Sequence, residues 1–227
     1  MNLKISNKRV YFLALGGNIL YVLFIAIAMF TYPGGTKDNP LVDGYSFWGN
    51  TFSDLGRTKA WNDQINVVSM ILFSLAYGIN AITMVFFYIT AINIFKSTNI
   101  ESKASKIGSI FGVISSIAII GIIFTPADIL YGPHWIFVFI GYPSIFFMGV
   151  AYSITIYIDE NISKSISYIF GFLIILFFIA LMVGLIGISA SRKIMVIGQK
   201  IMRIVLLINY CILIYCAFNL EKKYKNI

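Results

Sequence analysis

Four side chains able to do ionic or acid–base chemistry stand out in this chain because charge is otherwise scarce. They are Asp54, Asp128, His134 and Arg192, in a sequence of 227 residues of which only 11% are charged. His134 is the only histidine, and Asp128 lies six residues before it in the run TPADILYGPHW. A carboxylate that orients an imidazole raises its pKa and prepares it as a proton relay or general base. The spacing equally fits Asp128 capping a turn while His134 forms a hydrogen bond where the next helix begins.

Asp54 belongs to a segment, Tyr45 to Gly56, that mixes aromatic rings with polar side chains. Such a mixture is typical of the membrane interface, where rings lie at headgroup depth. Thr51 or Ser53 is suited to cap a short helix, and the final glycine is suited to end it. Two interpretations follow: the segment is an interfacial plug on a helix bundle, or Asp54 and Asn50 face a polar pocket.

Arg192 and Lys193 follow the fifth apolar block of the chain. A guanidinium binds anionic headgroups well, and it also pairs with a carboxylate such as Asp54 or Asp128. An ordinary topological charge at the membrane interface is the alternative.

The sequence argues against several kinds of site. One histidine is too few for a bis-histidine haem, and a catalytic zinc usually takes three protein ligands rich in histidine. No nucleophile elbow, zinc-protease, phosphate-loop or dinucleotide motif occurs. We therefore expect no metal and no cofactor. Cys211 and Cys216, five apart in the last apolar block, are expected to be buried apolar fillers.

The composition places these side chains in a membrane protein. Hydrophobic residues make up 59% of the chain and the mean hydropathy is +0.87, whereas soluble domains average about 45–50% apolar residues. A spanning helix needs about 20 apolar residues, and six blocks qualify. They run from Val10 to Tyr32, Ile65 to Phe95, Ile107 to Thr125, His134 to Ile158, Ile166 to Ile188, and Gly198 to Phe218. We predict an all-α bundle of six transmembrane helices, a single transmembrane domain over residues 1–227.

Basic residues predict the orientation of this bundle. Six crossings put both termini on one side, which carries ten basic residues: Lys4, Lys8, Arg9, Lys96, Lys103, Lys106, Lys164, Lys222, Lys223 and Lys225. The other side carries seven at most: Lys37, Arg57, Lys59, Arg192, Lys193, and Lys200 and Arg203 near a helix start. The bias predicts cytoplasmic N- and C-termini and makes the net charge of +8 a matter of topology rather than nucleic-acid binding. A five- or seven-helix count, or a re-entrant first outer loop over residues 33–64, is the alternative.

This orientation puts Asp54, Asp128, His134 and Arg192 on the outer face, although they come from three loops. Polar residues at the membrane level usually face the bundle interior and mark functional sites. The conspicuous polar side chains within the blocks are Asn18, Asn66, Asn80 and Asn209, for which we expect helix packing and interhelical hydrogen bonds. We expect no ionisable side chain in the middle of a helix, which disfavours a transport path.

Taken in order, these motifs resemble one membrane family. The order is an N-terminal helix, the run YSFWGNTFSDLG over residues 45–56, a loop with Pro126, Asp128 and His134, and Arg192 after the fifth block. Over nearly its whole length the chain resembles the prokaryotic family catalogued as domain of unknown function 998, which looks distantly related to Frag1/DRAM/Sfk1-like six-helix proteins linked to lipid handling. The resemblance implies a six-helix bundle with an outward polar cluster. The site residues that it implies are Asn50, Ser53, Asp54, Asp128, His134 and Arg192.

We predict a multi-pass protein of the cell membrane that binds a lipid headgroup or small polar ligand at this outer cluster. Asp54 and Arg192 would form a charge pair, and Asp128 and His134 a hydrogen-bonding dyad. Membrane lipids are the expected partners, nucleic acid is not, and a homo-oligomer is left open. One alternative is a membrane-embedded lipid hydrolase or transferase with His134 as the base and Asp128 orienting it. The other is a small-solute transporter.

Overall fold

The computed structural model describes residues 7–225 and is all-helical over that range. The helices are α1 (Asn7–Thr31), α2 (Phe52–Leu55), α3 (Val67–Ala91), α4 (Asn99–Ile123), α5 (Tyr131–Ile158), α6 (Lys164–Ala190) and α7 (Arg192–Lys225). All except α2 are long and apolar enough to cross a membrane. The prediction of an all-α protein with six membrane-spanning helices is therefore confirmed. Lys4, one of the residues used to predict the orientation, lies outside the described residues, and the orientation itself stays a prediction.

Two helices begin six or more residues earlier than the apolar blocks predict. α4 begins at Asn99 rather than Ile107. The Thr98 hydroxyl accepts a hydrogen bond from the Glu101 N–H, and the Glu101 carboxylate accepts one from the Thr98 N–H, so this capping box adds polar and charged residues to the start of the helix. α7 begins at Arg192 rather than Gly198. The interval between the fifth and sixth apolar blocks, residues 189–197, is thereby reduced to Ser191, the one residue with extended backbone between α6 and α7.

The six long helices form a closed ring. Each packs against its neighbour along the chain, and α1 also packs against α7. The segments 32–66, 124–130 and Ser191 meet at one end of this ring, where hydrogen bonds and an ion pair join them. We call this the loop end, and it is the end that the sequence predicts to face outward.

A close approach of α6 and α7 requires glycine. A Cβ atom built on Gly198 would lie 2.7 Å from the carbonyl oxygen of Ala180 and from the Cα atom of Gly184. Side chains are not accommodated at such distances, so glycine allows the two backbones to touch. This contact fixes the position of the first turns of α7, which carry Arg192 and Gln199.

Polar side chains inside the bundle only partly match the prediction. Asn80 donates a 2.6 Å hydrogen bond to Asn18, which confirms the expected interhelical bond between α3 and α1. Asn66 instead precedes α3, and its amide donates to the carbonyl oxygens of Leu55 and Arg57. It therefore holds the loop end together rather than joining two helices.

The expectation that no helix carries an ionisable side chain in its middle is wrong for α7. Arg203 lies about 16 Å along the helix axis from Arg192, and only 2% of it is exposed. Its guanidinium lies over the rings of Tyr77 and Tyr21 at 4.5 and 5.0 Å. The early start of α7 explains the error, because it moves Lys200 and Arg203 from a helix end into the span.

The two cysteines differ in their surroundings. Cys216 is buried, as expected, whereas Cys211 is exposed on the outside of α7, so the expectation of a buried filler is wrong there. Both are free thiols.

Candidate functional site

The first segment of the loop end is folded by its own polar groups. Thr51 caps α2 by accepting a hydrogen bond from the Asp54 N–H, and the Asp54 carboxylate accepts from the Thr51 N–H at 2.7 Å. Asn50 donates to the carbonyl oxygen of Gly35 and accepts from the Ser46 N–H. Asn50 is fully buried in these contacts, so its role is to shape the loop that carries Asp54. The cap and the short helix fit the sequence prediction.

Asp54 and Arg192 form the expected charge pair. Arg192 Nη2 lies 2.9 Å from Asp54 Oδ1 and 2.7 Å from Oδ2, and the two side chains are only 15% and 5% exposed. Arg192 is the first residue of α7, so the pair fastens α2 to that helix. A second bond supports it, because the Phe52 N–H donates to Gln199 Oε1 at 2.8 Å. The guanidinium also lies 5.2 Å over the ring of Trp61.

The expected hydrogen bond between Asp128 and His134 is wrong. His134 Nδ1 lies 2.7 Å from the carbonyl oxygen of Thr125, and Nε2 lies 3.2 Å from Ser53 Oγ. His134 is on the first turn of α5, so its ring turns back to the carbonyl of Thr125, in the loop just after α4. The side chain is 5% exposed, and it contacts Ser53 of α2 instead of a carboxylate.

Asp128 anchors the loop after α2. Its carboxylate accepts hydrogen bonds from the Thr58 hydroxyl at 2.6 Å and from the N–H groups of Thr58 and Lys59 at 3.0 Å. Burial by itself raises the pKa of Asp128, but the bonds from Thr58 and Lys59 outweigh it and lower the pKa below its usual value. Asp128 therefore remains ionised at neutral pH and acts as a clamp between two loops.

These groups surround the mouth of a cavity of about 610 Å³ between α5, α6 and α7. Its polar end is lined by Lys37, Thr51, Ser53, Asp54, Arg57, Asp128, His134, Arg192 and Gln199. Its apolar walls are lined by Val138, Phe139, Tyr142, Leu181, Leu185, Met195 and Met202, among others. From Arg192 to Met202 the cavity follows α7 for about 15 Å. Five of the six predicted site residues line the cavity, whereas Asn50 supports the loop beside it.

The sequence analysis did not predict that Gln199 and Lys200 contact the loop that forms the site. Lys200 is 1% exposed and lies beneath the first loop, where its ammonium contacts the Tyr45 hydroxyl and the ring of Phe52 at 3.7 Å. Burial and then the negative charge of Asp54 raise the pKa of Tyr45, so the phenol stays protonated. One feature of the sequence would have predicted their positions: no helix-breaking residue lies between Arg192 and Gly198, so the last helix can begin at Arg192. A helix through that stretch puts Arg192 and Gln199 on one face, since they lie seven residues apart.

Among residues 7–225, no three His, Cys, Asp or Glu side chains are grouped as metal ligands would be. Comparison with protein families, with curated proteins and with solved structures gave no match. The site must therefore be interpreted from its own chemistry.

Proposed function

We propose that this multi-pass membrane protein binds an anionic amphiphile, a membrane phospholipid, in the cavity at the loop end. The headgroup would contact Arg192 and the polar groups around it, and an acyl chain would lie along the apolar walls of α5 and α6. The observation that carries the proposal is the division of one cavity into a charged mouth and an apolar body. Ligand sites are typically mostly apolar, with a few placed polar groups.

The charges at the mouth favour an anionic headgroup. Three cations, Lys37, Arg57 and Arg192, line the cavity, against two carboxylates, Asp54 and Asp128. Arg192 uses Nη2 for the ion pair, and its buried Nε has no hydrogen-bond partner among the described residues. A phosphate oxygen is a suitable acceptor for such a guanidinium N–H group.

The cavity is also open toward the outer surface of the bundle. Phe139 on α5 and Ile188 on α6 line it, yet they are 50% and 44% exposed. These exposed apolar side chains border the cavity on the outside of the bundle, so we expect an opening toward the bilayer between α5 and α6. A lipid can therefore reach the cavity sideways from the bilayer without passing through water.

We further propose that the loop end faces outward from the cell membrane. With Lys200 and Arg203 buried within α7, five basic residues among residues 7–225 remain near the loop end, against nine near the other end. Cysteine labelling tests this in a Cys211→Ala/Cys216→Ala background. Lys59→Cys should react with an impermeant maleimide added outside intact cells, and protection from it would reverse the orientation.

Native mass spectrometry after mild detergent extraction tests the binding proposal, with phosphatidylglycerol vesicles as the lipid source. The unmodified protein should retain one phospholipid. Val138→Trp, which fills the cavity but leaves the ion pair intact, should lose it, and so should Arg192→Gln. Lys193→Gln is the matched control, because Lys193 is adjacent and exposed but does not line the cavity. Equal retention by Val138→Trp would overturn the proposal.

The transporter hypothesis gains no comparable support. The cavity lining extends along α7 to Met202 and does not include the buried Arg203.

A further inference from the structure

Ser53 and His134 form a hydroxyl–imidazole pair at the mouth of the cavity. Ser53 Oγ lies 3.2 Å from Nε2 of His134, and Nδ1 of the same ring lies 2.7 Å from the carbonyl oxygen of Thr125. A carbonyl oxygen only accepts hydrogen bonds, so Nδ1 must carry a proton. In the neutral ring, Nε2 is then the basic nitrogen, and the Ser53 hydroxyl donates to it.

This arrangement has the three parts of an activated nucleophile: a hydroxyl, a base in contact with it, and a third group that orients the base. Here the third group is the backbone carbonyl of Thr125, at the place where the sequence led us to expect Asp128. His134 is buried, whereas Ser53 is partly exposed, and both side chains line the cavity. The nucleophile is thus accessible from the cavity and its base is shielded.

We propose that Ser53 is the nucleophile of an acyl-transfer reaction on a lipid ester bound in this cavity, with His134 as the general base. This proposal rests on the proposed lipid binding and adds a reaction that the bound lipid would undergo. An ester carbonyl lies between the headgroup and the acyl chain of a glycerophospholipid. A lipid whose headgroup is at the charged mouth and whose chain is in the apolar body would therefore bring that carbonyl near the boundary where Ser53 lies.

The reaction divides into two balanced stages. In the first, Ser53 Oγ forms a bond to the acyl carbon while its proton passes to His134 Nε2. The ester C–O bond then breaks, and His134 returns the proton to the leaving lysolipid oxygen. In the second, a water molecule or the hydroxyl of an acceptor lipid attacks the acyl-Ser53 carbonyl and gives its proton to His134. The bond from the acyl carbon to Oγ breaks, Ser53 regains the proton, and a fatty acid or a new ester leaves.

Arg192 also lines this cavity, and a guanidinium N–H group that neither the ion pair nor the headgroup uses would stabilise the negative charge on the carbonyl oxygen during both stages. Arg192 is ion-paired with Asp54, the residue directly after Ser53 in the chain. A preorganised donor in a site shielded from water stabilises such an oxyanion more than it would in bulk water.

A long-chain alkyl fluorophosphonate, which traps serine nucleophiles covalently, tests the proposal on the full-length protein in phosphatidylglycerol vesicles. Peptide mapping should place the adduct on Ser53 in the unmodified protein. Ser53→Ala should give no adduct, and His134→Gln should slow labelling at least about 100-fold. Ser46→Ala is the matched control, because Ser46 belongs to the same loop but does not line the cavity, and it should label normally.

Native mass spectrometry of the same samples separates this proposal from lipid binding. Thermal unfolding of Ser53→Ala in the same vesicles shows whether this variant is folded, so that its missing adduct reports the lost hydroxyl. Retained lipid without any Ser53 adduct in the unmodified protein would overturn the nucleophile and leave lipid binding standing. Absence of both retained lipid and a Ser53 adduct from the unmodified protein would overturn lipid binding and this proposal together.

Discussion

Arg192 Nη2 contacts both carboxylate oxygens of Asp54, at 2.9 and 2.7 Å, across 138 positions of the chain. The same carboxylate accepts the Thr51 N–H that completes the cap of α2. The Asp54 side chain therefore connects the first residue of α7 to the cap of α2 in the first loop.

Substituting either residue of the Asp54–Arg192 ion pair should destabilise the protein, and the substitution of Asp54 should lower the free energy of unfolding more. Asp54→Ala removes the ion pair and the cap acceptor and leaves a buried guanidinium, at a cost of about 3–5 kcal/mol in the free energy of unfolding. Arg192→Gln keeps a polar side chain and leaves the cap intact, so it should cost less. Denaturant unfolding in mixed micelles measures both, with Lys193→Gln as the control. An effect of Arg192→Gln equal to or larger than that of Asp54→Ala would contradict the double role of Asp54.

The clamp at Asp128 should be sensitive to acid. Its pKa in the folded protein lies below the unfolded value of 3.8, so its contribution to stability is complete above that value. The contribution is lost as the pH falls through the lower, folded pKa. The difference in stability between the unmodified protein and Asp128→Asn should therefore be constant from pH 5 to 7 and shrink below about pH 4.

Asp38→Asn is the control for that experiment, because Asp38 is an exposed carboxylate on the other loop of the loop end, within residues 32–66. Thermal unfolding at a series of pH values measures the difference for each variant. A gap for Asp128→Asn that widens toward low pH would contradict the assignment of Asp128 as an ionised clamp.

The glycine contact between α6 and α7 should not tolerate a methyl group. Gly198→Ala would place a Cβ atom 2.7 Å from the Ala180 carbonyl oxygen, so the helices must separate, at a cost of about 1–3 kcal/mol. Gly171→Ala is the matched control, because a Cβ atom there meets nothing within 4 Å. That change should be neutral or stabilising by up to about 1 kcal/mol through helix propensity. Equal effects of the two substitutions in a thermal unfolding assay would contradict the close packing.

Arg203 should not be required for stability. Its three guanidinium nitrogens are buried without hydrogen-bond partners among the described residues, so contacts with tyrosines such as Tyr21 and Tyr77 must offset the cost of burying the charge. Arg203→Met keeps most of the side-chain volume and removes that cost. We expect its melting temperature in detergent to equal or exceed that of the unmodified protein. A marked decrease would show that the tyrosine rings do stabilise the buried charge.

The features that could be predicted from the sequence follow from hydropathy and local chemistry. Runs of about 20 apolar residues identify spans, since the bilayer allows few alternatives. The cap at Thr51 follows from residue type and spacing alone. The Asp54–Arg192 pair could be predicted because Arg192 is a basic residue directly after a predicted span, and the chain has few carboxylates that could pair with it.

The partners of His134 and Asp128 could not be predicted in this way. Each depends on the path of residues 32–66 over the bundle, which brings Ser53 to His134 and Thr58 to Asp128 across 81 and 70 positions. Six residues of separation made Asp128 and His134 neighbours in sequence, but Asp128 lies in the loop and His134 on the first turn of α5. Lys200 and Arg203 were predicted near a helix start for a simpler reason. Counting apolar residues does not detect the first turns of a helix that begins with charged residues.

Photocrosslinking tests the central claim, a phospholipid inside the cavity, most directly. The probe is phosphatidylglycerol with a diazirine at the end of one acyl chain, reconstituted with the protein in vesicles, irradiated and mapped by peptide mass. We predict adducts on Leu181 and Leu185, which line the cavity, and on Phe172, which is 64% exposed on the outside of α6. In Arg192→Gln the adducts on Leu181 and Leu185 should disappear while those on Phe172 persist. Adducts confined to Phe172 in the unmodified protein, or cavity adducts unchanged in Arg192→Gln, would contradict the account.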